Sequence, residues 1–76
     1  MPTVKIIGKY KIQVYADDHH PPHCHIISSE FEILVDLRDL SILKGGRYRR
    51  QITEVMDWIR ENQQLLKDEW ARQNEH

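Results

Sequence analysis

Tyr10-Lys11-Ile12-Gln13-Val14-Tyr15-Ala16 decides the architecture, because its side chains alternate in character. Tyr10, Ile12, Val14 and Ala16 fall on one face of an extended chain, and Lys11, Gln13 and Tyr15 fall on the other. A period of two with one apolar face is the pattern of a half-buried strand. Before it, residues 4 to 7 predict a partner strand, joined through a tight turn at Gly8-Lys9. After it, a third strand is expected from His23 to Ile27, and Ser28-Ser29 marks a turn. Phe31, Ile33 and Val35 supply the inward side of a fourth strand, and Leu40, Ile42 and Leu43 either add a short edge strand or cap the core. Gly45-Gly46 closes this half.

The remainder reads as helix. Tyr48, Ile52, Val55, Met56, Ile59, Leu66 and Trp70 form one stripe at 3.6 residues per turn. Trp70 is expected in the core, with Leu65 and Trp58 off the stripe and Trp58 suited to the core's flank or to an oligomer contact. A single helix from residue 47 to about 73 would measure roughly 40 Å, long beside so small a sheet. A break near Asn62 is therefore preferred, since asparagine can cap a second helix that turns back. The expected fold class is α+β: a small antiparallel sheet of three to five strands, then one broken helix or two C-terminal helices, in a single domain over residues 1–76.

The segment between the second and third strands carries the chemistry. Asp18-His19-His20-Pro21-Pro22-His23-Cys24-His25 holds four of the five histidines. His23 and His25 point to the same side of an extended strand, and the stiff proline loop can fold His19 over them. Three neutral imidazoles can bind zinc or another divalent ion, with Asp18 as a fourth ligand or as the group that orients a histidine. Cys24 faces the apolar layer and reads as core. The same histidines could instead work without metal. Imidazoles titrate near neutral pH and can act as base and acid on an RNA phosphodiester. A third account leaves the proline loop and its histidines purely structural. Asp36 lies on the face opposite Ile33 and Val35, within reach of the histidines across the sheet, though a solvent position is the simpler expectation.

A second cluster, Lys44, Arg47, Arg49 and Arg50, is positive without a compensating acid. Arginines in the first turn of a helix oppose its dipole, which favours acids there. Such a cluster suits an anion, an acidic partner surface or plain solvation, and could supply positive charge to a phosphate near the histidines.

With 76 residues there is room for one small core, so a protein partner or homo-oligomer is a reasonable expectation. A net charge of -1 argues against a general nucleic-acid coat while leaving room for a specific RNA target. The lone Cys24, with no secretory signal, fits a reducing, cytoplasmic setting. No apolar run approaches the roughly 20 residues that would cross a bilayer.

The opening Met1-Pro2-Thr3-Val4, the Asp18 to His25 segment, Val35-Asp36, Leu43-Lys44-Gly45 and the tail around Trp58-Ile59, Leu65-Leu66 and Trp70 resemble a bacterial family of unknown function, numbered 4160. Its Asp-His-x-Pro-Pro-His-x-His signature falls on Asp18, His19, Pro21, Pro22, His23 and His25, with His20 and Cys24 in the variable slots. Many relatives carry Leu-Pro before the basic helix start, where this chain has Gly46-Arg47-Tyr48. The resemblance implies one half of a toxin–antitoxin pair, with a partner encoded by a neighbouring gene. Two functions follow as expectations. One is a histidine-dependent toxin acting on RNA through His19, His23 and His25, with or without a divalent metal. The other is a non-catalytic antitoxin or regulator that binds protein, its histidine cluster structural or metal-binding.

Overall fold

The computed structural model describes residues 3–15 and 20–74. Five strands, β1 (Thr3–Ile7), β2 (Tyr10–Gln13), β3 (His23–Ile27), β4 (Glu32–Asp36) and β5 (Ile42–Lys44), form one sheet. They lie in the order β1-β2-β3-β4-β5, every neighbouring pair antiparallel, so each strand pairs with the next along the chain. A 3-10 segment, Gly46–Ile52, leads into α1 (Thr53–Glu61) and α2 (Gln63–Asn74). The α+β expectation holds, in its five-stranded, two-helix form. No helix among the described residues is long and apolar enough to cross a membrane.

Local chemistry explains the turns. Gly8 takes φ 58 in the two-residue loop that pairs Ile7 with Tyr10, a conformation open to glycine at little cost. The Ser28 hydroxyl accepts from the backbone N–H groups of Glu30 and Phe31, turning β3 into β4. Leu37-Arg38-Asp39 turns β4 toward β5: the carboxylate of Asp36 takes the N–H of Arg38, and that of Asp39 takes the N–H of Ser41.

Two boundaries differ from the sequence reading. The second strand stops at Gln13 rather than Ala16, although Val14 stays fully buried. Ladder hydrogen bonds end there while the chain still feeds the core through Val14; Ala16 lies outside the described residues. Arg47, Arg49 and Arg50 do not occupy an α-helical first turn. They sit in the 3-10 segment, and the α-helix that follows starts with an acid, Glu54, in its first turn. The expected conflict with the helix dipole is thereby removed.

The helices break at Asn62, whose N–H reaches the carbonyls of Trp58 and Ile59 and whose side-chain amide donates to Trp58. The side chain of Gln63 then donates to the carbonyl of Leu37, fixing the start of α2 to the β4–β5 turn. Both helices cover one face of the sheet. Ile12, Val14, Cys24, Ile26, Ile33, Val35 and Leu37 from the sheet side meet Ile52, Val55, Ile59, Leu66 and Trp70 in a single apolar layer. Trp58 packs at its flank, while Leu65 is 49% exposed. Among the described residues the other face carries no helix, and His23 and His25 stand on it.

Candidate functional site: the open face of the sheet

Strand β3 reads His23-Cys24-His25-Ile26-Ile27, and its period of two divides it cleanly. Cys24 and Ile26 enter the core with no exposed surface. Burial pushes the Cys24 thiol up to about 12, so it stays protonated and unreactive. His23 and His25 take the open face, their ring centroids 5.0 Å apart.

Cross-strand register assembles the neighbours. Thr3, Gln13, His25, Leu34 and Lys44 form one row across all five strands, each residue the Cα partner of the next. His23 pairs with Asp36 in a second row, and Lys11, Ile27 and Glu32 make a third. Lys11 and Glu32 are thus both diagonal neighbours of His25, at Cα separations of about 7–8 Å, close enough for long side chains to meet it.

Each imidazole is anchored through Nδ1. His25 lies 2.8 Å from a carboxylate oxygen of Glu32, and His23 lies 2.7 Å from the carbonyl of Pro21. Both partners are acceptors, so Nδ1 is the donor in each ring. Tyr15 meets the His25 ring edge-on at 4.4 Å, and its hydroxyl donates to Gln13, whose amide donates to Thr3. This chain of contacts fixes the ring plane of His25 from the β1–β2 side.

Asp36 is 2% exposed rather than in solvent. Its carboxylate is held by the guanidinium and the backbone N–H of Arg38. Those bonds keep its pKa below the ordinary carboxylate value, an effect to which the charge of His23 adds. Strand pattern alone could not place it, because the Arg38 partner comes from the turn.

Of the other expected site residues, Asp18 and His19 lie outside the described residues. Among the described residues no group of three or more His, Cys, Asp and Glu side chains is arranged to hold a metal ion. His20 follows a different course from His23 and His25, packing edge-on against Trp70 at 4.9 Å on the helix side.

The four basic residues do not converge. Lys44 stands on the open face in the His25 row. Arg47 lies over the ring of Tyr48, which stacks in turn on Phe31. Arg49 and Arg50 line a groove on the helix side of β5. Register places a further cation, Lys11, diagonal to His25 on this face. Its alternation with Ile12 puts it on this face, but only the β2–β3 register brings it to His25.

The protein family described as a domain of unknown function (DUF4160) matches residues 10–71, and the chain belongs to it. No curated protein and no solved structure matches the chain.

Proposed function

Within that family, we propose that this chain is a histidine-dependent toxin that cleaves RNA, with the reaction centred on His25 and His23. The observation that carries the reading is the paired anchoring of Nδ1, by Glu32 on one ring and by Pro21 on the other. In this proposal Nε2 of each imidazole is the proton-transfer atom, the two rings standing on one strand with centroids 5.0 Å apart.

In the proposed step, Nε2 of neutral His25 takes the proton of a ribose 2′-hydroxyl. The 2′ oxygen attacks the adjacent phosphorus, and the bond from phosphorus to O5′ breaks. His23, entering as imidazolium, gives its Nε2 proton to the departing O5′. The products are a 2′,3′-cyclic phosphate and a free 5′-hydroxyl, so atoms and charges balance. Glu32 stabilises the imidazolium that His25 becomes, as a carboxylate hydrogen-bonded to Nδ1 does beside a catalytic base. The Lys11 ammonium stabilises charge that builds on the phosphoryl oxygens. An anchored Nδ1 is equally the arrangement of a metal-ligating histidine, and Asp18 and His19 are the residues that would complete a divalent site with His23 and His25.

Cleavage of cellular RNA would arrest growth, and the family resemblance supplies the setting, a neighbouring gene product that restrains it. Tightly controlled expression in bacteria tests this reading. Wild type is expected to arrest growth and His23→Ala to allow it, at equal levels of folded protein. Arrest by both would sink the mechanism, and growth with both would favour the antitoxin or regulator.

A further inference from the structure

The arginine groove stands apart from the histidines and calls for its own occupant. It encloses about 640 Å³ between the 40–42 segment and the first turns of the helical half. Leu40, Ile42 and Met56 make an aliphatic floor, and Arg49, Arg50 and Arg60 rise around it. Arg60 is already paired with Asp57 at 3.0 Å. The side chains of Arg49 and Arg50 make no hydrogen bond or ion pair among the described residues, and both residues are exposed. Ile42 is the Cα partner of Val35, which places the groove on the helix side of β5, whereas His23 and His25 lie on the other face.

We propose that this groove docks an acidic segment of a partner protein, one whose carboxylates meet Arg49 and Arg50 while an aliphatic side chain enters over Leu40, Ile42 and Met56. Charge complementarity selects the acidic character, because two cations without partners sit at the rim of an apolar depression. The floor selects peptide over nucleic acid. It offers no aromatic ring on which a base could stack, and its methionine adapts to aliphatic side chains. A partner seated here leaves the histidine face uncovered, so docking and RNA cleavage are separable, and the proposal does not rest on the toxin reading.

Selection from a random peptide display library against the folded full chain tests it, with Arg49→Glu/Arg50→Glu run in parallel and circular dichroism confirming its fold. Wild type is expected to enrich acidic peptides carrying a leucine, isoleucine or methionine. The best of these should bind the double variant about tenfold more weakly or worse, and lose affinity as salt rises. Met56→Asp should weaken the same peptide, and His25→Ala should leave it unchanged. No arginine-dependent acidic enrichment would overturn the proposal. So would an oligouridine that binds through Arg49 and Arg50 in place of the peptides, or a homodimer of the chain abolished by the double variant, which would make a second copy the occupant.

Discussion

The two faces of β3 differ by one position in sequence and by almost everything in chemistry. Cys24 and Ile26 are buried under two helices, where shape and volume decide what fits. His23 and His25 are also largely shielded, His23 to 6% exposure, yet on a face that no helix covers among the described residues. There, hydrogen-bond acceptors and cations are set by strand register. One strand thus serves stability with its even-numbered positions and holds the candidate chemistry on two of its odd-numbered ones. If that division is real, substitutions on the two faces should separate into loss of fold and loss of function.

The largest effect on stability is expected on the covered face. Ile26→Ala should cost about 2–5 kcal/mol, a large share of what so small a domain possesses, read from urea unfolding followed by circular dichroism. Gly45→Ala should cost about 1–3 kcal/mol by the same measurement, because its φ of 84 disfavours any side chain. A Cβ there would also sit 2.7 Å from the backbone oxygen of Glu32, the residue that anchors His25. The variant should therefore lose RNA cleavage along with stability, a case in which the two faces are coupled.

Asp36→Ala should cost about 1–3 kcal/mol, since the Arg38 donors lose a buried acceptor. The sign of its pH dependence follows from the depressed pKa. The native state holds the proton less tightly than the unfolded chain, so the contribution is complete above the unfolded value of about 3.9 and is lost as pH falls through the lower folded value. In urea unfolding against pH, wild type should weaken across that acid range, and Asp36→Ala should lack this component. Equal curves for the two proteins would remove Asp36 from the account.

The smallest stability effect is expected at the proposed reaction centre. The ion pair between His25 and Glu32 involves a carboxylate side chain 41% exposed, so Glu32→Gln should change unfolding by less than about 1 kcal/mol while lowering cleavage. Chelation of divalent ions should leave activity unchanged, because the proposed step takes its base, acid and cation from the chain. Activity lost to a chelator and restored by zinc would transfer the role to a metal site on Asp18, His19, His23 and His25.

These contrasts also mark what could be read from the sequence. The alternation in residues 10 to 16 gave the sheet, and the same period put His23 and His25 on one side with Cys24 inward, because strand geometry is local. The stripe from Ile52 to Trp70, with its break at Asn62, was legible for the same reason. Pairings between strands were not. Lys11 and Glu32 become neighbours of His25 through register, which links residues 14 and 7 positions away from it. The arginines looked like partners for the histidines because both groups stood out in charge. Chain direction at β5 instead sends Arg49 and Arg50 to the helix side and Lys44 to the open face.

The most direct test of the account is cleavage of an RNA oligonucleotide by purified protein, with His25→Ala, His23→Ala and Lys11→Ala beside wild type and product ends identified by mass. The account predicts 2′,3′-cyclic phosphate ends from wild type, none above background from either histidine variant, and a reduced rate from Lys11→Ala, with all three variants folded. Cleavage that persists without both histidines, or no cleavage by folded wild type of any single-stranded sequence offered, would contradict it.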